Sequence, residues 1–277
     1  MRNNEQRLGS QNTQQAEPMP VLNQVESLSF VTPTEIVDLP SKGLFYPEGH
    51  VLRNKPSVEI KHMTAKEEDI LTNKSYLKKG IALDRLLESL IVDKNIDPSK
   101  LLISDRNAIF LAARISAYGN DYVTQITCPA CDKKQKYAFD LLEKISESEN
   151  LDIDEETDEN GFFTIILPST GWSVLCRALN GSDEKKLIGV VTNKTREEFT
   201  LLDQLKMLVV SVQGVSDPAV LHRTIESLPA KDSRYLRNTY DSVMPTLDLK
   251  NTFICSSCEY DEVVEVPLTT DFFWPKS

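Results

Sequence analysis

The chain has 277 residues, of which 40% are hydrophobic, so it is long enough to bury a core in one large domain or two smaller ones. It carries 31 Lys and Arg against 42 Asp and Glu, and this net charge of −11 argues against a surface that wraps nucleic-acid phosphates. It contains neither an apolar run long enough to span a membrane nor the hydrophobic segment of a signal peptide, so we expect a protein of a reducing cytoplasm.

Two polar stretches predict how the chain is organised. Residues 1–33 are rich in Asn, Gln, Ser and Glu, and they bury too little apolar surface to offset chain entropy, which predicts a disordered N-terminal arm. Residues 145–160 carry eight carboxylates and no base, which predicts an acidic linker. We therefore expect an N-terminal α+β half at 34–144 and a C-terminal α+β half at 161–277.

The first half mixes strand and helix signals. The stretches TEIVDLP and SVEIKHM have the composition of short strands around a turn-rich loop. A helix is then predicted after Thr64, which forms a capping box with Glu67. Apolar residues from Ile81 to Ile91 recur at helical spacing, and a more fully buried helix is predicted from Ser104 or Asp105 to a stop at Gly119.

The second half begins with a predicted hairpin, formed by GFFTIILP and WSVLCRAL. Three helical segments are predicted after it, namely SDEKKLIGVV, REEFTLLDQLKMLVVSV and AKDSRYLRNTYDSV. The fold class is therefore predicted to be α+β, with a helical core.

Two Cys-x-x-Cys pairs stand far apart, Cys128 with Cys131 and Cys255 with Cys258. At an offset of 127 residues, QITCPACDKKQKYAFDL aligns with TFICSSCEYDEVVEVPL, and apolar positions coincide after the cysteines as well as before them. Each pair is therefore predicted to sit in the tight turn of a β-hairpin, with alternating apolar residues in its strands.

Two such hairpins facing each other would bring four thiolates to the corners of a tetrahedron, which is the ligand set of structural zinc. We therefore predict a zinc-ribbon-like module whose two hairpins are distant in sequence, with zinc bound by Cys128, Cys131, Cys255 and Cys258. A redox dithiol is a weaker interpretation, because neither pair is predicted to open a helix that would lower a thiolate pKa. A third interpretation is that these four cysteines are unrelated free thiols. Cys176, in an apolar run, is expected to be a buried structural thiol.

No catalytic motif is recognisable, and the three histidines have no acid or nucleophile at a motif spacing. We therefore expect no enzymatic activity. Asp105 and Arg106 are expected to be ordinary residues of a helix start, and the charged run from Lys66 to Asp69 is expected to be a solvated helix face.

Two aromatic clusters stand out in loop or terminal sequence. They are expected either to fold back onto the chain's own core or to act as anchors for a partner protein, since aromatic side chains dominate such anchors. Their members are Phe45, Tyr46, Phe272, Phe273 and Trp274.

A family resemblance is carried by whole phrases of sequence, namely VDLPSKGLFYPEGH, VEIKHMTAKEEDILTN, LLESLIVDKNID, SDRNAIFLAARISAYGNDY and EVPLTTDFFWP. From about Glu35 to Pro275 these phrases resemble the baseplate hub assembly protein family of contractile-tailed, T-even-like bacteriophages. The resemblance implies a late viral protein that helps to build the central hub of the tail baseplate, either as a virion component or as an assembly chaperone. It implies hub or tape-measure proteins as partners, and no catalytic residues. Assembly would take place in the host cytoplasm, without a membrane.

One alternative from another class stays open. Lys133, Lys134 and Lys136 beside the first cysteine pair favour a zinc-ribbon protein that binds nucleic acid, such as a viral transcription factor. The acidity of the whole chain and of the second cysteine hairpin opposes this alternative.

Overall fold

A computed structural model describes residues 31–142, 157–186, 200–247, 249–266, 268 and 270–273. Residues from Thr32 onward form one compact unit. Most of the predicted arm (1–33) and of the predicted acidic linker (145–160) lies outside the described residues, so the division into two halves stays a prediction. No helix in the described ranges is long and apolar enough to cross a membrane.

The fold opens with a two-stranded antiparallel sheet of β1 (Thr34–Asp38) and β2 (Ser57–Lys61). Alternate residues of these strands are buried, as the period of a half-exposed strand requires. Helix α1 (Ala65–Thr72) follows, and its capping box of Thr64 and Glu67 is confirmed. A five-residue helix that the sequence did not reveal, α2 (Lys74–Lys78), comes next.

The predicted stripe of apolar residues forms α3 (Ala82–Leu90), and a 3₁₀ turn (Pro98–Lys100) links it to α4. Helix α4 (Ile103–Tyr118) begins one residue before the predicted range and ends at Gly119, as predicted. The φ of Gly119 is +85°, a left-handed value that suits glycine at a helix end. Most of the first three turns of α4 are buried, so this helix forms the centre of the core.

Two antiparallel hairpins follow α4. The first joins β3 (Asp121–Thr127) to β4 (Lys134–Asp140), and the second joins β5 (Phe163–Ile166) to β6 (Ser173–Cys176). The second hairpin is extended by β7 (Val209–Val212) into a three-stranded sheet in the order β5, β6, β7. Residues 182–186, the described part of the predicted segment SDEKKLIGVV, are helical.

The prediction of a helix through REEFTLLDQLKMLVVSV is wrong at its end. Helix α5 (Leu201–Leu208) stops at Leu208, and the chain continues directly into β7. Val209, Val210 and Val212 are β-branched, and strand pairing with β6 gives their backbone groups partners. Helical periodicity and a buried strand are therefore hard to separate in this apolar run.

The rest of the chain adds two helices and a last hairpin. Helix α6 (Pro218–Glu226), which the sequence analysis did not predict, is capped by Asp217, whose side chain accepts from the backbone N–H of Val220. Helix α7 (Ala230–Val243) is confirmed. An antiparallel hairpin of β8 (Lys250–Ile254) and β9 (Asp261–Glu265) follows, and a 3₁₀ turn (Thr270–Phe272) ends the described chain.

The aromatic clusters belong to the core. Phe45, Tyr46, Phe272 and Phe273 are all buried, so of the two expected roles, packing in the core and anchoring a partner, these four residues have the first. Phe45 packs edge-on against Phe163, with ring centroids 5.8 Å apart. Packing these aromatic side chains inside the chain removes a large apolar surface from water. Trp274 lies outside the described residues.

The start of α4 differs from the ordinary helix start that the sequence predicted. Asp105 is buried and accepts hydrogen bonds from the backbone N–H and the hydroxyl of Ser41 and from the hydroxyl of Tyr46. Arg106 is buried as well and donates to Asp84 and to the carbonyl oxygen of Pro98. Asp105 therefore ties α4 to the loop after β1, 64 positions away at Ser41, and Arg106 ties it to the preceding helix α3, because buried polar groups need partners.

Candidate metal centre

Each cysteine pair lies in the turn of a hairpin, as predicted. Cys128 and Cys131 lie between β3 and β4, and Cys255 and Cys258 lie between β8 and β9. Within the described ranges, these are the four residues whose ligand atoms come close enough together to hold a metal ion.

The two turns have the same backbone conformation. In the first, the N–H of Cys128 donates to the Lys133 carbonyl and the N–H of Asp132 to the Cys128 carbonyl. In the second, the N–H groups of Cys255 and Glu259 make the equivalent bonds, to the carbonyls of Tyr260 and Cys255. Asp132 and Glu259 are also left-handed, with φ of +54° and +59°. This agreement confirms that the two sequences, aligned at an offset of 127 residues, form equivalent turns.

The four sulfur atoms lie within 4.8 Å of one another. The sulfur of Cys128 is 3.7 Å from that of Cys258, and the sulfur of Cys131 is 3.7 Å from that of Cys255. A tetrahedral zinc ion with Zn–S bonds of about 2.3 Å would place its sulfur ligands about 3.8 Å apart. Disulfide sulfurs would instead lie about 2.0 Å apart, and all four thiols are free. The arrangement fits a four-thiolate metal site.

A small apolar cluster supports the site from within. Cys128, Cys255 and Phe253 are buried together, and Ile126, Tyr137 and Val264 pack against them. The alignment of the two hairpins paired Ile126 with Phe253 and Tyr137 with Val264, and all four residues lie in this cluster. Cys131 and Cys258 are exposed, so one sulfur of each pair faces the interior and the other faces solvent.

Backbone N–H groups favour the thiolate form at Cys255. The N–H of Ser257 donates to the Cys255 sulfur over 3.4 Å. This bond, with a further one from the N–H of Cys258, lowers the pKa of the Cys255 thiol to about 6, whereas the pKa of the Cys131 and Cys258 thiols is raised among the neighbouring thiols. A thiolate is the form of cysteine that binds a metal ion.

Side chains of the first hairpin also hold the second hairpin directly. Gln135 donates to the carbonyl oxygen of Ile254 over 3.1 Å and accepts from the backbone N–H and the hydroxyl of Ser256, at 3.0 and 2.8 Å. Tyr137 donates to the carbonyl oxygen of Thr252 over 2.6 Å. We call Gln135 and Tyr137 the hairpin clamp. The polar contacts of the hairpin clamp could not be predicted from the sequence, because strand alternation does not show which groups a polar side chain will contact.

The geometry of the two cysteine turns argues against the redox interpretation. Neither cysteine pair opens a helix, since each is followed by a strand, so the usual source of a reactive, low-pKa dithiol is missing from these turns. A closed shell of four thiolates has no open position for a substrate, which limits such a site to a structural role. Cys176 lies apart from the four, is buried, and has a thiol pKa raised to about 12 by that burial.

Part of the chain matches a family of known proteins. Residues 33–165 match the family model described as T4 bacteriophage base plate protein. The matched range contains the first cysteine hairpin and ends in β5, so the second hairpin lies outside it. No curated protein and no solved structure matches the chain.

Proposed function

Because the chain is related over residues 33–165 to the T4-like phage baseplate proteins, we propose that it is a non-enzymatic tail protein that acts in assembling the baseplate central hub. The family match carries this proposal, since it supports a structural role in the baseplate. The hub is the finer part of the proposal and rests on the phrases of sequence that resemble hub assembly proteins. The partners would be other baseplate hub proteins or the tape-measure protein.

The direct test uses the phage that encodes the protein. Mass spectrometry of purified virions and a pull-down of the tagged chain from infected cells distinguish the two modes of action. Presence in particles identifies a virion component, whereas presence only in the lysate, bound to hub or tape-measure proteins, identifies an assembly chaperone. Absence from both, together with normal baseplates in a deletion mutant, contradicts a role in baseplate assembly.

We further propose that zinc binds to Cys128, Cys131, Cys255 and Cys258 and fixes the two hairpins to each other. The sulfur spacing and the all-thiolate donor set support zinc, since soft ligands in a tetrahedron suit this ion. A zinc ion here would hold together the two hairpins, which lie on either side of the predicted acidic linker in the sequence. Metal analysis of protein purified without added zinc should find about one zinc per chain. Protein that folds fully with no metal contradicts this part alone.

The nucleic-acid alternative has one observation in its favour. Lys133, Lys134 and Lys136 are exposed on the first hairpin. The facing hairpin, however, exposes Glu259, Asp261 and Glu262, which would repel phosphates. A titration with duplex DNA and single-stranded RNA at low salt distinguishes the two functions, because phosphate binding must weaken as salt rises. We expect no binding.

A further inference from the structure

A half-open pocket of about 240 Å³ lies where the N-terminal turn of α4 meets the segment that follows α7. Its lining includes buried and partly exposed residues. The buried ones are Phe45, Leu102, Tyr240 and Pro245, and Ile103, Met244 and Leu247 are partly exposed. The lining comes from segments that are distant in sequence, so the pocket is a product of the tertiary fold. It belongs neither to the cysteine cluster nor to the hairpin clamp.

The charged residue in the described lining of this pocket is acidic. Glu265, the last residue of β9, is exposed and is the charged member of the described lining. Asp261 and Glu262, also exposed, precede it on the same strand. Lys250 lies opposite Glu265 in the strand register, but acids outnumber bases on this hairpin. The mouth of the pocket therefore continues into an acidic strand.

Among the described residues, strand β9 also has one edge without a partner strand. The β8–β9 sheet has two strands, and β8 faces the hairpin clamp, which contacts the carbonyls of Thr252 and Ile254. Strand β9 is the other edge of this sheet, and edge strands are common places for an extended segment to bind. Val263, in the middle of β9, is exposed, which gives a bound segment an apolar contact between the acids.

We propose that the pocket and strand β9 form a docking site for an extended segment of another protein, in which one large apolar side chain is flanked by Lys or Arg. The volume is below that of most small-molecule sites and suits one or two side chains. A buried apolar anchor supplies most of the affinity of such contacts, and complementary charge supplies specificity. The basic flank would lie against Glu265 and the other acids of β9. The proposal does not rest on the hub assignment.

Defined peptides test this site on the full-length protein. The probe is the peptide acetyl-Gly-Ala-Leu-Lys-Lys-Gly-amide, with two matched peptides in which Leu becomes Ser or both Lys become Glu. Backbone amide signals of Ile103, Asn107 and Thr246 are followed by NMR during each titration. We expect saturable shifts with the first peptide and affinities about tenfold lower with the other two, which corresponds to about 1.4 kcal/mol each. The difference between the Lys and Glu peptides should shrink at high salt.

Two variants make the test specific. Glu265→Lys should lower affinity for the Lys peptide and raise it for the Glu peptide, a swap that a misfolded protein cannot produce. Thr246→Trp should weaken binding of both the Lys peptide and the Glu peptide, because the larger side chain would fill the mouth of the pocket. Glu59→Lys is the matched control, since Glu59 is exposed on β2 and does not line the pocket, and it should change neither affinity.

Three results overturn the proposal. One is the absence of shifts at the pocket with any peptide. Another is equal binding of the Lys and Glu peptides, which means that the acidic strand does not select the partner. The last is a concentration-dependent shift of the same amides in protein without peptide, together with dimer formation in sedimentation, since the occupant is then a second copy of this chain.

Discussion

Cys128 and Cys258 are separated by 130 positions in the sequence, yet their sulfur atoms lie 3.7 Å apart. The same holds for Cys131 and Cys255, whose sulfurs lie 3.7 Å apart across 124 positions. A metal held by these four residues would therefore cross-link two distant parts of the chain. Such a cross-link restricts the unfolded chain more than one within a single ribbon, because the entropy of loop closure grows with loop length.

Removal of the metal should destabilise the protein. Cys258→Ser should abolish stoichiometric zinc binding and lower the midpoint of urea unfolding, because a three-thiolate site binds zinc much less tightly. The matched control is Cys176→Ala, which also removes one thiol but should keep one zinc per chain, since Cys176 lies outside the cluster. Zinc content and the urea midpoint are measured on the same samples. Equal zinc content in the two variants contradicts the assignment of ligands.

The hairpin clamp should tune metal affinity without touching the metal. Gln135→Ala removes bonds to Ile254 and Ser256, the residues on either side of Cys255, so this cysteine should be less well positioned. We expect a loss of about tenfold in zinc affinity, the lower range for outer-shell partners. Gln125→Ala is the control, because Gln125 is exposed on β3 of the same hairpin. Competition with a chromophoric chelator gives both affinities, and equal values contradict a positioning role.

Features set by local sequence could be predicted. The capping box of Thr64 and Glu67, the stop at Gly119 and both cysteine turns depend on residues close together in the chain. The proximity of the two cysteine pairs was also predictable, although they are far apart in the sequence. Two Cys-x-x-Cys pairs with similar flanking sequences can together supply the four ligands of one metal site.

Features set by distant contacts could not be predicted in this way. Asp105 looked like an ordinary helix-start residue, but Ser41, its partner, lies 64 positions away. Val209 to Val212 continued the apolar pattern of a helix, and their strand conformation depends on pairing with β6. Phe272 and Phe273 were equally compatible with a surface anchor and with a core, because burial is decided by the whole fold.

Asp183 should contribute stability that depends on pH. Its carboxylate is buried and accepts bonds of 2.6 and 3.0 Å from Arg177. Burial alone would raise the pKa of Asp183, but the bonds from Arg177 and from the N–H of Asn180 outweigh it and hold the pKa below 3.8. A lowered folded-state pKa means that this stability is present above the unfolded value, and is lost as pH falls through the folded value.

Asp183→Asn should therefore lower the free energy of unfolding by about 2–4 kcal/mol at pH 7, because it leaves a largely buried Arg177 without its charged partner. The difference from wild type should shrink below pH 4. Urea unfolding of the variant and of the wild type, at pH 7 and at a pH below 4, measures this difference. Loss of metal at low pH should affect the two proteins alike. Glu226→Gln is the control, because Glu226 pairs with Lys206 at the surface and should contribute much less. A difference that does not change with pH contradicts the role of ionised Asp183.

Gly161 should be intolerant of any side chain, for a reason separate from its backbone angle. Its φ is +76°, and a Cβ atom would overlap the carbonyl group of Phe45. Gly171 has a similar φ of +70°, but a Cβ atom there would meet nothing within 4 Å. Gly171→Ala should therefore cost about 1 kcal/mol, the strain of a left-handed alanine. Gly161→Ala should cost about 2–4 kcal/mol, because overpacking adds to the same strain.

Thermal unfolding of the two glycine variants gives this comparison directly. The contact matters because Gly161 lies just beyond the predicted acidic linker, where Arg53 donates to the carbonyls of Tyr46 and Asp158. A large loss at Gly161 and a small one at Gly171 would mean that close packing at Phe45 fixes the chain where it leaves the acidic stretch. Equal losses would mean that the backbone angle alone requires glycine, and that the loop at Phe45 can move aside without cost.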